Sequence, residues 1–180
     1  MIRPLIYVIS LREDEPSKNT ALKMVRLGLA KLLPKTRGFS AGLVLDPFSQ
    51  NMLGKWLRDH AQRGILVVDC SWRKISPEKF AGYRGLHVKL PPLLPGNPIN
   101  YGKLCMLSSI EAAAAALYLT GFHEEYNRLL GAFKWMNTFH ELNKNLLRDY
   151  YESSSPEELS QVVLEYWRTI DPCLKPWDID

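Results

Sequence analysis

Short apolar runs alternate with amphipathic stretches through the first half of the chain, and this alternation constrains the fold more than any other feature. The run from Gly64 to Asp69 is the clearest strand, because it is β-branched, is short enough for a buried strand and ends in a carboxylate. Strands separated by helices favour an α/β fold with a mostly parallel sheet. We predict strands at residues 4–10, 40–46, 64–69 and 86–90, and helices at residues 20–33 and 49–63.

The second half of the chain has a different pattern, nearly all of it helical. Gly121 suits the end of a helix and Pro156 suits the first turn of one. We predict helices at residues 109–121, 124–134, 137–152 and 156–169. The 180 residues are the size of one domain. Within it we expect a basic α/β part at residues 1–90 and a part at residues 91–180 that contains a loop and the helices.

Targeting segments and metal sites are not indicated by the sequence. No window approaches ~18 consecutive uncharged apolar residues, so we expect no membrane span. The first residues, MIRPLIYVISLRE, are typical of a first strand rather than a leader peptide. The cysteines and histidines show no zinc spacing and no disulfide framework, which favours a reducing cytoplasm and no metal. They are Cys70, Cys105, Cys173, His60, His87, His123 and His140.

Charge is distributed unevenly along the chain. Residues 1–90 contain 16 Lys and Arg against 7 Asp and Glu, whereas residues 91–180 contain 7 against 12. A basic half with a balance of +9 favours a polyanionic partner, and nucleic acid is the first candidate. Solvated helix faces are the alternative explanation. The basic residues around the candidate site are Arg73, Lys74, Lys79, Arg84 and Lys89.

A long proline-rich loop precedes the first helix of the second half. Four prolines between residues 91 and 98 restrict its backbone, which argues for an ordered, functional loop rather than a disordered one. The loop runs into Ser108 and Glu111, whose spacing is that of a capping box. An ordered loop that leads into a helix start is suited to holding a small anionic ligand.

Asp69 and Trp72 are the strongest single candidates for a site. Asp69 ends a buried strand, and ligands of open α/β sheets bind beyond the carboxyl ends of the strands. A partly desolvated carboxylate there could accept a proton, although Asp69 could equally cap a turn. Trp72 could pack on an adenine ring or could simply belong to the core. Cys70 has no evident base partner, so we do not expect a nucleophilic thiol.

Two helix starts could bind a carboxylate through free N–H groups. One lies at Ser108 and Ser109, and the other lies at Thr20, although both have an ordinary capping role as the alternative. The alanines at residues 112–116 would permit close approach of a ligand or a helix. The chain contains no dinucleotide fingerprint, Walker loop, zincin helix or nucleophile elbow. These residues therefore predict a loop-built ligand site without naming a reaction.

Several segments occur in a specific order along the chain: Asp69-Cys70-Ser71-Trp72, Leu90-Pro91, Asn97-Pro98-Ile99-Asn100-Tyr101-Gly102, Leu107-Ser108, Glu111-Ala112 and Phe133-Lys134-Trp135. This ordered set resembles the small-subunit rRNA aminocarboxypropyltransferases of archaea and eukaryotes, and an archaeal member in particular. The resemblance covers roughly residues 4–150. It implies a SPOUT-like α/β fold with a deep trefoil knot. It also implies transfer of the 3-amino-3-carboxypropyl group of S-adenosylmethionine to a hypermodified pseudouridine, with release of methylthioadenosine.

The resemblance also implies roles for individual residues. Asp69 would lie beside the reacting centre, either as a base or as an orienting group. Thr20 and Ser109 would receive the amino-acid carboxylate. The rest of the implied cofactor pocket consists of Leu45, Pro47, Val68, Trp72, Leu90, Cys105, Leu107 and Ala112, with backbone contacts at Val68, Leu90 and Cys105. The residues expected to contact RNA are Lys18, Lys23, Arg73, Lys74 and Arg84.

Three positions depart from the family's usual pattern. Pro95-Gly96 stands where two alanines are common, Cys105 where an aromatic is usual, and Met136 where glycine is usual. Two alternatives remain open: a SPOUT-type RNA methyltransferase, and a non-catalytic RNA-binding module of ribosome assembly. We expect a monomer, because the carboxy-terminal helices are numerous enough to cover the surface that a second subunit would need.

Overall fold

A five-stranded parallel sheet forms the centre of the computed structural model, which describes residues 6–13, 19–34 and 40–173. Every pairing within it is parallel, so the prediction of an α/β first half with a mostly parallel sheet is confirmed. The order across the sheet is β2-β1-β4-β3-β5. The strands are β1 (Ile6–Ser10), β2 (Lys31–Leu32), β3 (Ser40–Leu45), β4 (Ile65–Asp69) and β5 (Arg84–Val88).

The central strand β4 brings the candidate residue Asp69 to the carboxyl edge of the sheet. Ser10 of β1 pairs in register with Asp69, and Leu45 of β3 pairs with Val67. Since all strands are parallel, the segments that follow β1, β3, β4 and β5 leave the sheet at the same edge. The fold therefore places the strand-end residues where α/β proteins bind ligands.

The four helices predicted in the second half are present. Within the described ranges, α4 ends at residue 130 rather than at 134, because Gly131 follows as the helix cap. Ser155 caps α6, and Pro156 occupies its first turn as predicted. The helices are α1 (Thr20–Arg26), α2 (Arg58–Gln62), α3 (Ser109–Leu119), α4 (His123–Leu130), α5 (Met136–Glu152) and α6 (Pro156–Trp167).

Helix α3 is the central element of the core. Ala113 to Ala116 are fully buried, and these small side chains let α3 pack against β4, α1, α4 and α5. One hydrophobic cluster runs from Ile6 in β1 to Val163 in α6, so residues of both halves share a core. A smaller cluster on the other face of the sheet includes Phe80 from the segment after β4. No helix in the described ranges has both the length and the apolar character needed to cross a bilayer.

The predicted helix at residues 20–33 is wrong in its second half. Helix α1 ends at Arg26, and Gly28 follows with a φ of 73°. The Leu29 N–H donates to the Met24 carbonyl and the Gly28 N–H to the Val25 carbonyl, which is a Schellman ending. The chain then forms the short strand β2, which the amphipathic pattern concealed.

The predicted helix at residues 49–63 is also shorter than expected. Met52 instead bridges to Lys89, and the Leu53 N–H donates to the Lys89 carbonyl. A 3-10 helix over Lys55–Leu57 follows, and only Arg58–Gln62 is α-helical. The backbone just after β3 is therefore hydrogen-bonded to the backbone just after β5, which a periodicity argument could not detect.

The prediction that the cysteines form no disulfide is wrong. Cys105 in the loop and Cys173 after α6 form a disulfide across 68 residues of sequence, with their Cα atoms 5.4 Å apart. The fold brings the end of the described chain back to the loop, and sequence distance gave no indication of that approach. Cys70 takes no part in a disulfide.

Candidate functional site

Asp69 is buried at the end of β4 and accepts three side-chain hydrogen bonds. Its side chain is only 7% exposed. Asn19 Nδ2 donates to Oδ2 at 2.5 Å and Ser10 Oγ donates to the same oxygen at 3.3 Å. Ser109 Oγ donates to Oδ1 at 3.1 Å. The carboxylate thus ties together the end of β1 and the starts of two helices.

The starts of α1 and α3 meet beside this carboxylate. Asn19 caps α1, since its Oδ1 accepts from the Leu22 N–H at 3.0 Å. Thr20 Oγ1 accepts from the Ile110 N–H of α3 at 3.2 Å. Because a hydroxyl can accept and donate at once, Thr20 can also donate its hydrogen to a bound group. Residues 20 and 109, predicted separately as anion contacts, are adjacent in space.

The predicted capping box at the start of α3 is confirmed. Ser108 Oγ accepts from the Glu111 N–H at 3.4 Å, and Glu111 Oε1 accepts from the Ser108 N–H at 3.0 Å. Of the first three N–H groups of α3, those of Ile110 and Glu111 have protein partners, whereas that of Ser109 has none among the described residues. The free N–H points to a place for an anionic oxygen.

Glu111 also anchors the proline-rich loop. Its side chain is fully buried, and it accepts from the Gly96 N–H and from Asn97 Nδ2, each at 2.6 Å. Asn97 in turn accepts from the Asn100 N–H at 2.9 Å. The single buried carboxylate of Glu111 therefore joins the proline-rich loop to the start of α3, the helix that follows this loop.

Helix α5 holds the back of the same loop. Asn143 receives the Leu94 N–H at 2.8 Å and donates to the Leu94 carbonyl at 2.7 Å. The buried Tyr150 hydroxyl donates to the Pro92 carbonyl at 2.8 Å, and burial raises the pKa of Tyr150. A Cβ on Gly96 would lie 2.5 Å from the Phe139 backbone nitrogen. This close approach explains why glycine stands at position 96.

Trp72 lies in a 3-10 helix, Trp72–Lys74, directly after β4. Its indole N–H donates to the Leu107 carbonyl at 3.0 Å, so the half-buried ring spans the gap between the β4 edge and the loop. The hydrogen bond fixes the orientation of the ring, which then forms a wall of the site.

Glu13 secures the turn that carries Trp72. It accepts from the Ser71 N–H at 3.1 Å and from Lys79 Nζ at 2.6 Å. Burial opposes ionisation of this carboxyl, but the Lys79 and Ser71 hydrogen bonds and the charges of Lys79 and Lys74 together lower the pKa of Glu13.

The other predicted cofactor residues lie along the same edge, with differing exposure. Leu45 and Val68 are buried near the ends of β3 and β4, and Pro47 is exposed just beyond β3. Cys105 has a φ of 71°, and its N–H donates to the Leu93 carbonyl at 2.8 Å. Leu107 is buried, whereas Leu90 and Ala112 are half-buried.

The predicted RNA-contacting residues do not form one patch. Arg73 and Lys74 are exposed beside the site, after β4. Lys23 of α1 lies over the Phe133 ring, 4.6 Å from its centre. Arg84 begins β5 and so lies at the amino edge of the sheet, away from Asp69. Lys18 lies outside the described residues.

Sequence reasoning missed several residues that build the site. It did not assign Ser10, Asn19 or Asn143, and it gave Glu111 only a capping role. Asn19 was detectable, since asparagine before a helix start is a preferred N-cap. The partners of Asn143 and Glu111 depend on tertiary contacts 49 and 15 residues away in sequence, so no local pattern could show them.

The polar groups of the described part of the chain are well satisfied. Every buried side-chain nitrogen or oxygen there has a hydrogen-bond partner. No group of three His, Cys, Asp or Glu side chains in the described ranges is arranged to hold a metal ion. Beside these satisfied groups, the Thr20 hydroxyl, the Ser109 N–H and the Trp72 ring together suit a ligand with a carboxylate and an apolar part.

Comparison with known proteins gives consistent matches. The family model described as "Ribosome biogenesis protein, C-terminal" matches residues 43–167. A 16S rRNA aminocarboxypropyltransferase of Sulfurisphaera tokodaii is 40% identical over 163 residues, covering 89% of this chain and 95% of the relative. The enzyme of the same name from Thermoplasma acidophilum is 40% identical over 164 residues, covering 90% of this chain and 98% of the relative.

A solved structure is similar over nearly the whole chain. It is that of the SAM-dependent rRNA:acp-transferase Tsr3 from Vulcanisaeta distributa, with a TM-score of 0.77 and 33% sequence identity. The match covers 91% of this chain and 97% of that one. The similarity includes both the parallel sheet and the helical second half.

Proposed function

This chain belongs to the family of 16S rRNA aminocarboxypropyltransferases, and from that membership we propose how its residues perform the reaction. It is an enzyme of ribosome biogenesis that transfers the 3-amino-3-carboxypropyl group of S-adenosylmethionine to small-subunit rRNA. As the acceptor we propose a hypermodified pseudouridine in a small-subunit hairpin, with methylthioadenosine as the second product. The observation that carries the residue assignments is the meeting of two helix starts beside Asp69.

The donors at this meeting point fit the amino-acid end of S-adenosylmethionine. Thr20 has a hydroxyl hydrogen to donate, because its oxygen already accepts from the Ile110 N–H. Ser109 offers its backbone N–H, while its own hydroxyl is taken by Asp69. We assign the carboxylate of the bound molecule to these two donors. The positive ends of α1 and α3 add to the attraction.

Orientation decides which group is transferred. When bound, S-adenosylmethionine supplies a sulfonium with three carbons, each open to in-line displacement. We assign Trp72 and Leu45 to the apolar wall that covers the methyl group, and the backbones of Val68, Leu90 and Cys105 to the nucleoside. Pro47, Leu107 and Ala112 complete the proposed pocket. Support for the wall comes from the Trp72 ring, which is held by its hydrogen bond to Leu107.

For Asp69 we propose a positioning role. Both of its oxygens accept hydrogen bonds, and three different segments supply the donors. A carboxylate used in this way holds Asn19 and Ser109 in place and so keeps the starts of α1 and α3 together. The alternative is a base that removes the imide proton of pseudouridine, for which Oδ1, accepting from Ser109 alone, has an acceptor site left.

The RNA would approach from the carboxyl edge of the sheet. Arg73 and Lys74 are exposed beside Trp72, and Lys23 lies one helical turn from Thr20. We propose these three side chains as phosphate contacts of the hairpin. Arg84, at the opposite edge, would contact only a more distant part of the rRNA.

Two further properties are proposed for the chain as a whole. The deep trefoil knot of the resemblance is extended to it, and its support is the resemblance itself, since the strand order β2-β1-β4-β3-β5 also suits unknotted α/β folds. A monomer is proposed because α5 and α6 bury their apolar faces within the chain, at Phe139, Leu147, Leu159 and Val163. Light scattering would reveal a dimer, which would contradict this proposal.

The test of function uses S-adenosylmethionine labelled in its carboxyl group and the organism's own small-subunit RNA. We expect label in one hairpin and an equal amount of methylthioadenosine. Thr20→Val should lower transfer strongly, whereas Thr169→Val, an exposed threonine after α6, should not. Formation of S-adenosylhomocysteine with unlabelled RNA would instead identify a methyltransferase, and failure to bind S-adenosylmethionine would identify a non-catalytic module.

A further inference from the structure

Two exposed apolar side chains lie at the tip of the proline-rich loop. Ile99 is 66% exposed and Tyr101 is 61% exposed, which places them among the most exposed large apolar side chains of the described residues. No role proposed above for the pocket uses them, although the neighbouring Asn97 is buried and bonded to Glu111. Apolar groups held in water call for an explanation when they lie beside a site.

The backbone of this tip is held in one conformation. Asn97 Oδ1 accepts from the Asn100 N–H at 2.9 Å, and the Lys103 N–H donates to the Asn100 carbonyl at 2.9 Å. Gly102 has a φ of 81°, which favours glycine and closes the turn. Asn97 is itself bonded to the buried Glu111. The exposure of Ile99 and Tyr101 is therefore built into the loop.

The tip lies next to the proposed transfer site. Glu111 Oε1 accepts from both Asn97 Nδ2 and the Ser108 N–H, so the base of the tip and the start of α3 contact one atom. On the other side, Gly96 contacts the backbone of Phe139, one turn beyond Trp135. Trp135 stacks on Phe133 with ring centres 4.8 Å apart, and Lys23 lies over Phe133. We call the surface between the tip, the start of α3 and this aromatic and basic group the opening.

We propose that Tyr101 stacks on an unpaired base of the RNA hairpin adjacent to the nucleotide being modified, with Ile99 packing against the same nucleotide. This proposal rests on the proposed function, since that function must bring an unpaired base to this opening. Aromatic rings that stack on splayed bases are the common means of recognising single-stranded RNA. Lys103, two residues after Tyr101, adds a positive charge for the phosphates.

An RNA base suits this tip better than a protein partner. Two side chains on a turn offer far less than the roughly 800 Å² per partner that a stable protein interface buries. A single nucleotide, in contrast, can be held by one aromatic face and one aliphatic contact. The size of the patch therefore matches one base.

The test compares Tyr101→Ala, Tyr101→Phe and Tyr101→Trp with Tyr166→Ala as the matched control. Tyr166 is 42% exposed on α6, far along the chain from the opening. Hairpin affinity is measured by fluorescence anisotropy, RNA KM by the transfer assay, and S-adenosylmethionine affinity by calorimetry. Loss of one stacked base should weaken RNA binding by about 5- to 150-fold, equivalent to about 1–3 kcal/mol.

We expect Tyr101→Ala to raise the RNA Kd and KM together and to leave the affinity for S-adenosylmethionine and the Tm unchanged. Tyr101→Phe and Tyr101→Trp should restore RNA binding because they keep a stacking face. Equal RNA affinity for Tyr101→Ala and wild type, or no hairpin binding by wild type, would overturn the proposal. A wild-type protein that binds the hairpin without transferring the group would refute the proposed function alone, since anisotropy would still test the stacking.

Discussion

The two buried carboxylates among the described residues, Asp69 and Glu111, hold opposite sides of one site by different means. On the sheet side, Asp69 ends a strand whose backbone is already fixed by pairing to β1, and its side chain gathers two helix starts. On the loop side, Glu111 holds a segment that has no such pairing, and it does so through Gly96, Asn97 and Ser108.

The two carboxylates should therefore contribute differently to folding stability and to ligand binding. The loop side depends on side chains for its conformation, so losing one anchor should cost folding free energy. The sheet side depends on its ladder for conformation and on Asp69 for the alignment of ligand-binding groups. Changes there should therefore affect binding more than stability.

The largest expected effect is that of Glu111→Ala. The change would leave the buried Gly96 N–H, Asn97 amide and Ser108 N–H without an acceptor, at about 1–3 kcal/mol each. We expect the free energy of unfolding to fall by about 5 kcal/mol in total. Urea denaturation measures it, with the exposed Glu124→Ala as control. A loss similar to that of the control would show that the loop does not depend on this carboxylate.

Loss of the disulfide should have the second-largest effect on stability, because it links the loop to the segment after α6. The disulfide links residues 68 positions apart and so lowers the conformational entropy of the unfolded chain. In the chain-entropy model this raises the free energy of unfolding by about 4 kcal/mol. Cys105→Ser, or treatment with a dithiol reductant, should lower stability by up to that amount. Cys70→Ser is the matched control, since Cys70 takes no part in a disulfide. An unchanged Tm after verified reduction would contradict this expectation.

Asp69→Asn should lower the free energy of unfolding less than Glu111→Ala does, and it should weaken the binding of S-adenosylmethionine. The amide keeps the volume but replaces one acceptor oxygen with a donor, which then faces either the Ser109 hydroxyl at Oδ1 or the Asn19 and Ser10 donors at Oδ2. We expect a loss of about 2 kcal/mol in stability and a weaker affinity for S-adenosylmethionine, measured by denaturation and calorimetry. Asp59→Asn, on the exposed face of α2, serves as control. A fall in kcat with unchanged affinity and stability would favour the base role over positioning.

The smallest effect belongs to Glu13, which supports the Trp72 turn on the sheet side. Its lowered pKa means that the unfolded chain binds the proton more readily. Its contribution is therefore present above the ordinary pKa of 4.5 and is lost as the pH falls through the folded-state value. Glu13→Gln should remove that part of the acid dependence, measured as Tm between pH 7 and pH 3. A parallel shift at every pH would show that its charge is irrelevant.

The parts of this fold that the sequence predicted are those governed by local pattern. The run at residues 64–69, the capping box at Ser108 and the four late helices depend on periodicity and caps, and all are present. The sequence prediction extended helix α1 beyond its actual end at Arg26, although Gly28 is a typical helix stop, because the amphipathic pattern continues past this glycine. The start residues 20 and 109 were each identified, but only the fold joins them.

What the sequence could not show depends on contacts between distant segments. The bridge between Met52 and Lys89 replaced a helix, and the approach of Cys173 to Cys105 made a disulfide that residue spacing did not suggest. Asn143 of α5 bonds the loop backbone at Leu94, but nothing in the sequence around residue 143 indicates this partner. Arg73 and Arg84 are close in sequence and were both predicted to contact RNA beside the site. In the structure Arg73 follows β4 at the carboxyl edge of the sheet, whereas Arg84 begins β5 at the amino edge.

The central claim is that S-adenosylmethionine binds where the starts of α1 and α3 meet. Hydrogen exchange of backbone amides, measured by mass spectrometry with and without this molecule, tests it directly. The account predicts slower exchange in peptides covering residues 19–23 and 105–112, and no change in residues 156–167 of α6. Slowing confined to other segments, or no slowing at a saturating concentration, would contradict it.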